Sequence, residues 1–194
     1  MKLVVLASGE GTNLQAIIDA INSKILENIS IEYVISDNPE AYALKRAKKY
    51  GINTILISKS NMREILYRHF KLVDLVVLAG FMKILPPELI EDNKIINLHP
   101  SLLPLFGGKG MFGLRVHRAV IESGMKVSGA TVHFVTADVD AGPIIMQECV
   151  PVDPYDTPES LQEKVHKVEQ RILIKSIQII ESGNYKIEGK KVIY

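Results

Sequence analysis

Residues 95–104 read IINLHPSLLP, an apolar run that carries Asn97 and His99 and then meets proline twice. Alternate side chains of a strand point to opposite faces, so Ile95, Asn97 and His99 share one face while Ile96 and Leu98 share the other. An amide and an imidazole on a core face are costly unless they are hydrogen-bonded or have work to do. Pro100 ends the strand directly after His99, and open α/β sheets bind ligands beyond the carboxyl ends of their strands. The pair therefore reads either as a ligand site or as a core histidine satisfied by its amide neighbour.

Two further stretches carry candidate chemistry. In LASGEGTNLQAI, residues 6–17, Gly9 and Gly11 follow an apolar strand and a helix opens near Thr12 and Asn13. Backbone N–H groups at a helix start bind anions, and glycine lets a phosphate come close. The dinucleotide fingerprint would place a third glycine at position 14, where this chain has Leu14. Hydroxyl and amide donors at 12 and 13 suit a terminal phosphate better than a pyrophosphate. In TADVDAGP, residues 136–143, Asp138 and Asp140 are either ordinary turn residues or partners for a histidine. A carboxylate beside an imidazole raises its pKa and can take or relay a proton. His133 shares a strand face with Thr131 and Val135, as core or as support for a site. Glu169 flanks an apolar helix stripe and reads as solvated. The five histidines, at 69, 99, 117, 133 and 166, and the single cysteine, Cys149, lack the spacing of metal ligands.

The elements that must position these groups follow from pattern. Short β-rich runs at 2–7, 31–36, 53–58, 74–79 and 94–99 alternate with helical stretches at 12–23, 39–51, 61–71 and 86–92. Pro39 and Pro86 mark helix starts and Gly51 a helix stop. This alternation implies an α/β fold, a parallel sheet covered on both faces. The second half changes character. Runs at 127–135 and 142–152 suggest a hairpin or a mixed extension of the sheet. A long helix follows, with Thr157 as its cap, Pro158 in its first turn and Gly183 at its end. Its apolar positions Leu161, Val165, Val168 and Ile172 step by four, three and four. The tail YKIEGKKVIY resembles a terminal hairpin.

Composition narrows the function classes. Of 194 residues 47% are hydrophobic, enough for a core that removes about 70% of the unfolded surface from water. The net charge of +1 gives no electrostatic reason to expect nucleic acid or a membrane surface as partner. A lone cysteine suits a reducing compartment. The longest apolar run, LVVLAGFM at 75–82, is far short of the roughly 20 residues of a membrane helix. A cytoplasmic protein acting on small molecules is expected, and the strand pattern names no oligomer interface.

Taken together and in this order, VVLASGEGTNLQAIIDA, DLVVLAGFMKIL, NLHPSLLP and GATVHFVTADVDAGPII resemble the phosphoribosylglycinamide formyltransferases, over nearly the whole chain. The resemblance implies a single Rossmann-like formyltransferase domain over 1–194, with phosphate binding in the N-terminal half and folate binding and catalysis in the C-terminal half. It implies formyl transfer from 10-formyltetrahydrofolate, as co-substrate, to the amine of glycinamide ribonucleotide, without metal. The family's catalytic Asn-His-Asp triad falls on Asn97, His99 and Asp140. Its substrate phosphate loop falls on Gly11, Thr12 and Asn13, and its glutamate for the substrate's amine end on Glu169. Its folate contacts fall on Arg63, on Met82, Lys83, Ile84 and Leu85, on Asn97, and on Thr136, Ala137, Asp138, Val139 and Ala141. In this scheme Asn97 and a protonated His99 donate to the oxyanion of the tetrahedral intermediate, while Asp140 keeps His99 charged and helps return the amine's proton to folate.

Two departures stand out. The stretch GGKGMFG, residues 107–113, lengthens the loop beside the expected site, as a lid or a folate contact. Lys83 stands where some relatives carry arginine, with little expected consequence because main chain holds folate there. Related formyl-folate enzymes carry an added RNA-binding or regulatory domain, for which a chain of this length is expected to have no room. A nucleotide-binding oxidoreductase would explain the glycine turn but neither NLHPSLLP nor DVDAGP.

Overall fold

Apolar runs without polar alternation become the inner strands of the first half. In chain order the elements of a computed structural model, which describes residues 1–194, begin with β1 (Lys2–Leu6), α1 (Thr12–Asn22), β2 (Ser30–Ser36), α2 (Tyr42–Lys49) and β3 (Asn53–Leu56). They continue with α3 (Met62–Phe70), β4 (Leu75–Leu78), α4 (Pro87–Glu91) and β5 (Ile95–His99). Leu3 to Leu6 and Leu75 to Leu78 are buried at every position, so both faces of these strands are covered. The strands lie in the order β3-β2-β1-β4-β5, each pair parallel. α1 buries Leu14, Ile17 and Ile18, one stripe at helical spacing.

The chain divides into two compact units, Met1–Asn97 and Leu98–Tyr194, and the division falls inside β5. The second unit adds α5 (Leu114–Glu122), β6 (Val127–Phe134), β7 (Ile144–Pro151), α6 (Pro158–Ser182), β8 (Lys186–Glu188) and β9 (Lys191–Ile193). β6 and β7 form the expected antiparallel hairpin, β9 joins β7 in parallel, and β8 and β9 pair antiparallel at the tail. α6 starts with a reciprocal capping box. Thr157 Oγ1 accepts from the Ser160 N–H at 3.2 Å, and Ser160 Oγ accepts from the Thr157 N–H at 3.0 Å. Its buried stripe includes Leu161, Val165, Val168 and Ile172, and Gly183 ends it in the left-handed conformation.

Two sequence expectations need correction. α2 begins at Tyr42 rather than at Pro39. Asn38 explains this: its Oδ1 accepts the Glu40 N–H at 3.0 Å and its carbonyl accepts the Ala41 N–H at 3.1 Å. The local turn thereby uses donors that a helix would need. α5 has no counterpart among the helices expected from pattern. Its buried positions are Val116, His117 and Val120, with exposed Arg115 and Arg118 on either side of the first two, directly after a stretch in which glycines break the helical pattern.

No helix is long and apolar enough to cross a membrane.

Candidate active site

His99 closes β5 and is buried. Its Nε2 donates to the Phe106 carbonyl at 2.9 Å, and its Nδ1 lies 3.5 Å from Asp140 Oδ2. His133, near the end of β6, approaches the other oxygen of the same carboxylate, Nε2 to Oδ1 being 3.6 Å. The His133 Nδ1 donates to the Phe134 carbonyl at 2.9 Å. The Gly108 N–H donates to Asp140 Oδ2 at 2.9 Å. One carboxylate thus stands between two buried imidazoles, with a backbone amide completing its shell.

The β6–β7 connection holds Asp140 in place. Asp140 has φ 55°, a left-handed conformation that Asp tolerates better than most residues. Gly142 follows because a Cβ there would sit 1.8 Å from the Phe134 carbonyl oxygen. The Phe134 N–H, donating to Pro143 O at 2.9 Å, closes the loop. Thr136 Oγ1 donates to Asp138 O at 3.1 Å, and the Ala141 N–H to the same oxygen at 3.4 Å, so Ala137, Asp138 and Val139 form an exposed turn.

Electrostatics separate the two partners. Burial lowers the His99 pKa from the ordinary histidine value and outweighs Asp140 and the Phe106 carbonyl, which both favour the charged ring. Burial works against ionised Asp140 too. The neighbouring His133 and His99 rings and the Gly108 N–H overcome it and hold the carboxyl below the usual carboxylate range. The expectation that Asp140 keeps His99 charged is therefore corrected: the resting ring is neutral near pH 7, in a setting of acceptors that suits a charge once one is acquired.

Glu169, expected to be solvated on pattern, is buried on α6 and accepts from His166 Nδ1 at 2.7 Å. His117 is buried on α5, and its electrostatic neighbours are Glu169 and His99. Sequence leaves His117 open between support for catalysis and structure, and it does not single out His166. Only the periodicity of α5 and the three-residue spacing of His166 and Glu169 could have flagged them. Phe106 and Gly108 act through main chain, which leaves no residue-type signal.

The first unit carries the other candidates. Gly11 is left-handed with φ 69°, and a Cβ there would meet the Ala43 Cα and Cβ at 2.7 Å. Glycine therefore lets α2 pack against the loop. The Arg46 Nε donates to Glu10 O at 2.8 Å and the Ala43 N–H to Gly9 O at 3.1 Å, fixing the turn. α1 opens at Thr12, followed by Asn13, with no side chain capping its N-terminus, so its first N–H groups suit an anion.

Loops at the carboxyl ends of β1, β2 and β4 are tied together. Ser8 Oγ donates to Asp37 Oδ1 at 2.5 Å and accepts the Met82 N–H at 3.1 Å, and Lys83 Nζ lies 3.5 Å from Asp37 Oδ2. Met82, Lys83 and Ile84 are exposed, whereas the Leu85 side chain is buried and can offer a ligand only its main chain. Exposed Arg63 pairs with Glu88, Nε to Oε1 being 2.6 Å. Asn97, half-buried, pairs with Leu78 in the β4–β5 register. No group of three His, Cys, Asp or Glu side chains could hold a metal ion.

A family model described as formyl transferase matches residues 1–177, and the chain belongs to that family. Among its relatives, the phosphoribosylglycinamide formyltransferase of Dictyostelium discoideum is 40% identical, over 93% of this chain and 98% of that protein. The trifunctional purine biosynthetic protein adenosine-3 of Gallus gallus is 39% identical over all of this chain, which spans 20% of that protein's length. The crystal structure of glycinamide ribonucleotide transformylase 1 from Symbiobacterium toebii superposes with a TM-score of 0.91 at 39% identity, over 99% of this chain and 92% of that one.

Proposed function

We propose that this chain transfers the formyl group of 10-formyltetrahydrofolate to the amine of glycinamide ribonucleotide, the step of purine synthesis that such relatives are named for. The observation that carries this reading is the Asp140 carboxylate held between His99 and His133, in a formyl transferase chain with Asn97 two residues before His99. The family match runs through both units, which supports one formyltransferase domain over 1–194. The small net charge and the lack of a membrane-spanning helix support a cytoplasmic enzyme of small molecules rather than of nucleic acid.

Gly11, Thr12 and Asn13 take the substrate phosphate at the start of α1, and Glu169 takes the amine end. Exposed Met82, Ile84 and Val139 offer apolar surface, and the main chain of 82–85 and of 136–141 offers hydrogen bonds, the mixture that a flat, polar-edged folate ring needs. Arg63, exposed, suits a carboxylate of the folate tail. Bound folate supplies the formyl carbon that the amine attacks.

In that attack a C–N bond forms to the amine, the C–N bond to folate breaks, and one amine proton ends on the folate nitrogen. The formyl oxygen gains negative charge on the way. The Asn97 amide donates to it, joined by the Nδ1–H of His99 once that ring has taken up a proton, and one such donor is typically worth about 2.7–4 kcal/mol of barrier. His99 enters neutral and takes up the amine's proton. Asp140, ionised, and the acceptors around the ring stabilise the charge until the proton passes to the leaving nitrogen. The deciding experiment follows folate deformylation by absorbance with and without glycinamide ribonucleotide. Release only with the ribonucleotide supports transfer, and release without acceptor would make the chain a hydrolase instead.

A further inference from the structure

Three histidines of the second unit have a clear partner: His99 at Phe106, His133 at Phe134 and Asp140, and His166 at Glu169. His117 differs. Its Nδ1 is buried without a hydrogen-bond partner, in a residue only 1% exposed. Buried polar atoms are nearly always paired, so an orphan needs an explanation. Packing does not provide one, because Val116 and Val120 already supply the apolar contacts of α5 and an apolar side chain at 117 would fill the space without an unpaired nitrogen. The imidazole also lies where two groups of the site feel its charge: Glu169 from α6 and His99 from β5.

We propose that His117 Nδ1 accepts a hydrogen bond from the attacking amine of the ribonucleotide, as the second acceptor beside Glu169; the inference rests on the formyl-transfer reading. A neutral primary amine has two N–H bonds and one lone pair. When Glu169 accepts one N–H and His117 the other, the lone pair is left free to face the formyl carbon. An ammonium group has no lone pair and does not attack. The arrangement thus orients the reactive amine, which is a large part of what an active site contributes.

The role requires Nδ1 to be bare, with the ring hydrogen on Nε2. Burial lowers the His117 pKa from the ordinary histidine value, and the His99 ring acts in the same direction while the Glu169 carboxylate opposes it. Arg115 and Arg118 flank it along α5 with exposed side chains, and His166 is engaged with Glu169. A neutral acceptor is therefore the resting state near pH 7.

The test uses the full chain and two variants. His117→Leu keeps the volume and removes the acceptor. It lowers kcat/KM for the ribonucleotide about 10- to 100-fold, the loss of one good hydrogen bond, with the KM for the formyl folate unchanged within about twofold. His117→Asn places an amide oxygen near the Nδ1 position and recovers part of that loss, while the acid limb of kcat/KM becomes shallower because asparagine does not titrate. In wild-type protein with ¹⁵N-labelled histidine, the His117 Nδ1 resonance shifts when glycinamide ribonucleotide saturates the enzyme. Wild-type kcat/KM in folded His117→Leu would overturn the proposal. So would equal losses in both variants with an unaltered acid limb, or an Nδ1 resonance indifferent to the ribonucleotide. The resonance needs no turnover, so a shift in a chain that transfers no formyl group separates failure of the activity from failure of this contact.

Discussion

Asp140→Asn removes a charge while disturbing little else. Asparagine tolerates the left-handed conformation found at this position, φ 55°, and its side-chain oxygen can still accept the Gly108 N–H that now donates at 2.9 Å. What disappears is the attraction between the carboxylate and a positively charged His99, across the 3.5 Å from Nδ1 to Oδ2. Two unit charges at that distance, at an effective dielectric near 20, interact by about 5 kcal/mol. If His99 carries a full proton in the rate-limiting transition state, kcat falls on the order of 10³-fold. The KM values should stay within about threefold, because the resting ring is neutral and gains little from the carboxylate before reaction. Steady-state absorbance assays with either substrate varied measure both constants. A kcat within about tenfold of wild type would refute the charge-stabilising role, and a raised KM at constant kcat would make Asp140 a binding residue.

Other perturbations follow from particular contacts. Gly11→Ala adds a Cβ 2.7 Å from Ala43 at φ 69°, so the phosphate loop must shift. The KM for glycinamide ribonucleotide should rise about tenfold or more, with kcat at saturation largely kept. Arg63→Ala breaks an exposed pair with Glu88, worth about 0.2–1 kcal/mol. Melting temperature should barely move while the KM for formyl folate rises, and an unchanged KM would remove Arg63 from the folate site. His99 and His117 both have pKa values below the ordinary histidine value when folded, so the unfolded chain binds more protons there. That stability is present above about pH 6.5 and is lost as pH falls. Asp140, held low in the fold, adds a further loss below about pH 4. Thermal melts from pH 8 downward should show decline setting in near pH 6.5, and a flat curve down to pH 5 would contradict the neutral buried rings.

The strands of the first unit are legible in the sequence because consecutive apolar residues have few other uses, and α6 because its cap, proline, stripe and terminal glycine all agree. The start of α2 is not, because the side-chain competition of Asn38 depends on a turn that periodicity does not describe. α5 is hidden by the glycines of 107–113 and by a pattern of only three buried positions. The Asn97–His99 pair and the DVDAGP loop are visible as residue types in unusual places. That Asp140 reaches both His99 and His133 depends on the β6–β7 register, whose irregularity between Val132 and His133 no local pattern announces. The resting charge of His99 escapes sequence reasoning for a related reason. Sequence shows that a carboxylate is available, but the balance against burial exists only in the packed structure. Glu169 shows the same limit, since a boundary position on a stripe becomes buried once α5 and α6 pack together.

The most direct measurement of formyl transfer is the fate of a ¹³C label. Wild-type protein would be mixed with folate carrying a ¹³C-formyl group and an excess of glycinamide ribonucleotide, and the products read by ¹³C NMR. The label should appear in a new formamide on the ribonucleotide, equal in amount to the deformylated folate, and at a rate sharply reduced in Asp140→Asn. Label collecting as free formate, or staying on folate while the ribonucleotide remains unmodified, would contradict direct transfer through Asn97, His99 and Asp140.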